Sequence, residues 1–235
     1  MASADGINWS ISKLFMYETC PMRFRLKYID KLPEPKPDAN SPLERGNRIH
    51  KNLEDFLKEG ASLQNNEAKA LAKFEPALNH LQKLYECGKA TAEDNWFYNY
   101  DWEVCERKDV WLWAKLDFFV YDPDTKHAIV GDYKSGKSRY KAVEHTQQTQ
   151  LYAAVAALRN AEIEKITSEL WYVDEGHVMS REYTAEQAMR FVDMFDRRVD
   201  RIYQDKVFRP NANVIACKWC PFGKQNGNGL CPVGV

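Results

Sequence analysis

The chain has 235 residues, of which 44% are hydrophobic and 29% charged, and its net charge at neutral pH is −1. That balance fits a folded, ordinary globular chain and argues against a disordered or strongly basic one, although a basic groove can hide inside a balanced total. No run approaches the roughly 20 apolar residues that a membrane-spanning helix needs, so no membrane partner is expected.

The opening residues, MASADGINWSISKLF, lack the long apolar core of a secretion signal, which predicts a cytoplasmic protein. The segment NWSISKLFMYETCPMRFRLKYI then carries apolar residues at helical spacing, with Ser10 or Ser12 as caps and Cys20-Pro21 as a junction. LPEPKPDANSP reads as an exposed proline-rich loop, and helical patterns return over 43–57, where His50 sits among Ile49, Leu53 and Phe56, and over 67–88. From there the period changes to two. Strands are predicted at 96–106, 110–121 and 127–134, antiparallel in sequence, with DPDTK as the hairpin turn between the last two. HTQQTQLYAAVAALRN predicts an alanine-rich helix, KITSELWYVDEG a strand with a hairpin partner over 178–183, and AEQAMRFVDMFDRRVDRIYQ an amphipathic helix. The tail from Arg209 reads as a cysteine-rich loop. The order α–β–β–β–α–β suggests an α/β or α+β core with helical flanks.

Asp117 closes the alternation WLWAKLDFF, and Asp132 closes the next strand in IVGDYKSGK. A hairpin across DPDTK makes these strands neighbours, so both acids can converge on one point. Two carboxylates in one cleft repel unless a cation lies between them, and a hard divalent ion meets that need. Lys134 lies two residues after Asp132 and so shares its face, where an ammonium can offset charge developing on a phosphate. The same residues also suit a plain surface ion pair, because Asp-x-Lys recurs by chance. Glu103 and Glu106 are expected on the strand before Asp117, more as a solvated face than as ligands, and Lys137, Arg139 and Lys141 as a solvated loop able to hold phosphates.

Taken together, Asp117, the GDYKSGK segment fifteen residues on, the opening CPMRFRLKYI, the helix ERGNRIHKNLEDFL, QTQLY and the terminal cysteines resemble the PD-(D/E)XK nuclease superfamily. Within it the chain is most similar to RecB-like exonucleases, including the CRISPR-associated and AddB-type members. The resemblance runs from about residue 10 to residue 232. It departs at Ala114, where the family often has glycine. It implies a restriction-endonuclease-like α/β (α+β) fold: a central mixed sheet flanked by helices, with a cysteine-rich metal clasp joining the two termini. A single nuclease domain over 1–235 is expected, made of a helical part (8–90), a catalytic core (95–205) and the tail (209–235). It implies His50, Asp117, Asp132 and the Tyr133 carbonyl as ligands of Mg²⁺ or Mn²⁺, with Asp117, Asp132 and Lys134 as the catalytic set. Gln148 and Tyr152 are four apart on one helical face, in position to touch nucleic acid or brace the lysine.

Cys217 and Cys220 form a C-x₂-C pair and Cys231 follows ten residues later, three soft ligands that need a fourth. In the resembling family a cysteine placed like Cys20 completes a 4Fe–4S cluster, a structural role. A structural Zn²⁺ is the rival, because four cysteines with C-x₂-C also suit zinc. Cys87 and Cys105 read as buried thiols. The resemblance therefore implies a metal-dependent exonuclease acting on DNA, single-stranded or with free ends, 5′→3′, and working beside recombination, repair or replication proteins. If the chain is phage-encoded, the host cytoplasm is its place. The rival functions are a non-catalytic nucleic-acid-binding module on the same fold and an iron–sulfur redox protein.

Overall fold

Ser10 caps the first helix, α1 (Ile11–Thr19), its hydroxyl accepting from the Lys13 amide at 3.4 Å. The computed structural model describes residues 4–63, 69–137 and 141–233. Cys20 is extended (φ −160°) because Pro21, which opens α2 (Pro21–Phe24), excludes helical backbone in the residue before it. A π-helical turn (Arg25–Ile29) and the proline-rich loop follow. Ser41 caps α3 (Pro42–Glu59), which Gly60 ends in a left-handed conformation at φ 66°. A 3₁₀ turn at Ala72–Phe74 leads into α4 (Glu75–Glu86).

The sheet has five strands in the order β1 (Ala90–Tyr98), β2 (Leu112–Asp122), β3 (His127–Lys134), β4 (Lys165–Tyr172) and β5 (His177–Thr184). The first three form an antiparallel meander, β4 runs parallel to β3, and β5 returns antiparallel to β4. A parallel neighbour needs a crossover, and α5 (Ala142–Arg159) supplies it. Every residue of α5 from Leu151 to Ala156 is buried, which is why this stretch of the helix is apolar on all sides and rich in alanine. A capping box between Thr184 and Gln187 starts α6 (Ala185–Gln204), and the tail holds one short helix, α7 (Val214–Lys218), where a loop was expected. The sheet is mixed and helices flank it, as the resemblance implied.

One expected strand is misplaced. It spans 90–98 rather than 96–106, and residues 99–111 form a loop in which Trp102, at φ 61°, packs edge-on against Trp9 and Trp111. The aromatic alternation there reflects burial of single rings, not a pleat.

Two apolar clusters cover the two sides of the sheet. One gathers α1, α5 and α6 around Leu112, Ala114 and Leu116; the other gathers α3 and α4 around Phe118 and Val120. Consecutive even-numbered residues of β2 thus serve opposite clusters, so the alternation inverts at Asp117. Strand β1 inverts alongside it: Ala90 and Ala92 join the α3/α4 cluster, while Trp96 and Tyr98 join the other. At the crossing point Glu93 adopts φ 55°, and the ladder pairs Ala92 with Phe118 and Asp94 with Leu116 but skips Glu93. Gly131 on β3 lies under the Phe118 ring, where a Cβ would come within 1.9 Å of the ring carbon Cζ. A third, smaller cluster joins Leu26 to Cys220, Phe222 and Cys231.

Candidate active site

The skipped rung is where the acids meet. β2 and β3 pair from Phe118–Gly131 onward, so Asp117 faces Asp132 just past the end of their ladder. There the Tyr133 amide donates to Asp117 Oδ2 at 2.6 Å. The amide of Val173 donates to the Lys134 carbonyl, so Lys134 points its backbone groups at β4. Tyr133, one residue earlier, therefore points both its N–H and its C=O toward Asp117. Its ring is buried on the α3/α4 side, against Phe118 and Trp171.

His50, on α3, hydrogen-bonds through Nδ1 to Asp117 Oδ1 at 2.9 Å, and Glu93 Oε1 lies 3.8 Å from the same nitrogen. Burial alone would lower the imidazole pKa, but the bonds to Asp117 and Glu93 outweigh it and raise it to about 10. Burial pushes Asp117 up, aided by the charge of Asp132. Asp132 is held down despite its own burial, because the Lys134 ammonium lies 2.6 Å from Oδ2. That oxygen is buried and accepts no hydrogen bond, leaving the ammonium as its partner among the described residues. The other oxygen, Oδ1, accepts from Gln148 Nε2 at 2.9 Å and from the Tyr152 hydroxyl at 2.7 Å. Gln148 and Tyr152 are buried and lean on each other at 2.6 Å, so they brace Asp132 rather than Lys134.

Sequence reasoning missed Glu93. It is nine-tenths buried at its side chain and pairs with Lys115 Nζ at 2.5 Å. Among the described residues one set of three histidine, cysteine or carboxylate groups brings ligand atoms within 4.8 Å of one another: His50, Glu93 and Asp117. Oxygen and imidazole donors of this kind suit a hard divalent ion; Asp132, which lines the same cleft with its Oδ2 on the Lys134 ammonium, is not part of that set. The expected Glu103 and Glu106 lie instead on the exposed loop, bonded to Asn99 and paired with Lys108. An earlier start to β1 would have brought Glu93 into view.

These groups floor a cleft of about 600 Å³, walled by Lys13, Tyr28, Lys51, Trp113 and Lys115. A second cleft of about 320 Å³ lies across Lys134, lined by Arg23, Lys141 and His145. Burial, then Lys134 and Lys141, push the His145 imidazole down to about 4, and its Nδ1 lies 2.5 Å from the Tyr172 hydroxyl. Lys137 is exposed, and Arg139 lies outside the described residues. Residues 131–138, GDYKSGKS, also spell the consensus of a nucleotide-binding phosphate loop. Here Gly131 to Lys134 are strand rather than loop, and the next described helix, α5, begins at Ala142.

Cys20, Cys217, Cys220 and Cys231 line one cavity with Arg23 and Leu26, and all are free thiols. Burial raises the Cys220 thiol pKa, with Cys231 and Cys20 adding to the rise. Contrary to expectation, Cys87 is exposed at the end of α4 and Cys105 is half-buried in the 99–111 loop.

No curated protein matches the chain significantly. Several solved structures are similar, two of them as follows. SSO0001 is 14% identical over 98% of this chain and 88% of its own, with a TM-score of 0.38. A candidate exonuclease from Eubacterium rectale is 13% identical over 91% of this chain and 85% of its own, with a TM-score of 0.49. The family model for the PD-(D/E)XK nuclease superfamily matches residues 8–225, on the fold and acidic cluster just described. The chain belongs to the PD-(D/E)XK nuclease superfamily.

Proposed function

We propose that this chain is a RecB-like, divalent-metal-dependent DNA exonuclease. It is one nuclease domain over residues 1–235, acting 5′→3′ on single strands or free ends in recombination, repair or phage replication. The observation that carries the reading is the meeting of Asp117, Asp132 and Lys134 at the floor of a lysine-walled cleft. His50, Asp117, Asp132 and the Tyr133 carbonyl would hold the ion. When bound, Mg²⁺ or Mn²⁺ supplies Lewis acidity that activates water and offsets phosphate charge. Lys134 brings a proton donor and a positive charge to the scissile phosphate. Gln148 and Tyr152 fix the Asp132 carboxylate, and the lysines of the wall hold the flanking phosphates. Strand polarity and end preference rest on the RecB-like sequence resemblance.

The four cysteines would form the clasp. A 4Fe–4S cluster is favoured over zinc by the resemblance of CPMRFR, CKWCPF and the final Cys231-Pro to iron–sulfur members of the family. A bound cluster supplies a rigid cross-link between the ends of the chain.

End-labelled linear single- and double-stranded DNA, with closed circles as control, tests the reading on anaerobically purified protein with Mg²⁺, Mn²⁺ or EDTA. Ion-dependent shortening from the 5′ end, absent on circles and abolished by Lys134→Ala, supports it. Cleaved circles make the enzyme an endonuclease. DNA that survives both ions while still shifting in a gel makes the chain a binding module.

A further inference from the structure

Three carboxylates reach the floor of the cleft, and each has its own cation: Asp132 has Lys134, Asp117 has His50, and Glu93 has Lys115. Lys134 and His50 belong to the nuclease pattern; the Glu93–Lys115 pair does not. Glu93 stands at the one rung the β1/β2 ladder skips, with a left-handed backbone that a residue bearing a Cβ rarely adopts. In regular strand geometry its side chain would lie on a sheet face with its neighbours. The reversed backbone turns it to within 3.8 Å of His50 instead. Asp132 lines the same floor, its Oδ2 held by the Lys134 ammonium at 2.6 Å.

We propose that Glu93 is a further ligand of the metal centre, and that Lys115 is a placeholder whose ammonium occupies Glu93 until a divalent ion displaces it. The inference rests on the metal-dependent reading of the site and adds a residue pair to it. Lys115 suits the part because its side chain is half exposed on a flexible stem, so it can leave for solvent or for a phosphate in the cleft. Glu93 cannot leave, being nine-tenths buried and fixed by the backbone turn. Metal loading then trades one local ammonium for a dication.

The test is Mn²⁺ binding to the metal-free full chain, followed by the electron paramagnetic resonance of free Mn²⁺, with Asp117→Asn as the control that removes the parent site. Glu93→Gln should weaken binding tenfold or more, and Lys115→Met, which removes the competing cation, should tighten it severalfold. Glu93→Gly gives the same loss in a variant whose backbone is at ease at φ 55°, and guards against a folding defect in the glutamine variant. Mn²⁺ affinities within twofold of the parent chain for both Glu93 variants would overturn the inference and leave the metal-dependent reading intact. A parent chain that binds no Mn²⁺, or binds it equally well as Asp117→Asn, overturns both.

Discussion

Gly131→Ala is the sharpest probe of how the acids are held. The new Cβ would lie 1.9, 2.1 and 2.6 Å from three ring carbons of Phe118, well inside contact distance. The ring has nowhere to go: it is 2% exposed, with Trp171 and Tyr133 centroids at 5.4 and 5.6 Å. Overpacking of this kind costs about 3 kcal/mol, at the upper end of the usual range. For a chain of this length that lowers Tm by about 6–12 °C. Phe118→Leu removes the clashing atoms at a cost of about 1.5 kcal/mol for the lost packing. If the clash is the mechanism, the double variant is no worse than the leucine variant by more than a few tenths. The coupling is then about 2–3 kcal/mol in favour of the pair. Urea unfolding of the four proteins, metal-free, measures the cycle. Gly131→Ala costing under about 0.5 kcal/mol, or a strictly additive cycle, would refute the reasoning. Because Phe118 and Gly131 adjoin Asp117 and Asp132 in sequence, the single variant should also weaken Mn²⁺ binding, and the double variant should recover it.

Lys134→Ala should lower activity by about a hundredfold or more, since the group lost acts on the developing charge; Lys134→Arg with full activity would contradict the role. His50, with its pKa near 10, is an imidazolium at neutral pH and must lose a proton to bind a metal. Calorimetry in buffers of different ionisation enthalpy should find about one proton released per ion. Apparent affinity should rise with pH up to about 10, and no release would show a neutral His50. Tyr152→Phe removes a hydrogen bond to a buried carboxylate, worth about 1.5–3 kcal/mol, and should be read as a lower midpoint in urea. Cys220→Ser should yield a colourless protein without iron, whereas stoichiometric zinc in a colourless anaerobic parent chain would end the iron–sulfur proposal.

Much of this architecture was legible because period and punctuation agree. DPDTK bounded β2 and β3 closely, which put Asp117 opposite Asp132, and α6 was read to its first and last residues because its apolar stripe and cap coincide. Glu93 was hidden for a physical reason. β1 opens with Ala-Thr-Ala, small residues that signal a strand weakly. The aromatic run beyond Tyr98 looks like the better strand, yet its Trp102 is buried singly in a loop. A left-handed glutamate has no sequence signature at all, and the inversion of two strands around it breaks the alternation on which a strand is recognised. The parallel placement of β4 was likewise out of reach of local pattern, being fixed by the packing of α5 on the sheet.

That inversion also bears on how such a chain can vary. Leu116 belongs to one apolar cluster and Phe118 to the other, so the residues between them are owned by neither. Sequence drift in either cluster can be absorbed on its own side of the sheet, by neighbours that never touch the opposite one. The carboxylates sit on the seam, where both sets of changes arrive attenuated. The apolar interior can therefore change widely while two acids and a lysine stay in register.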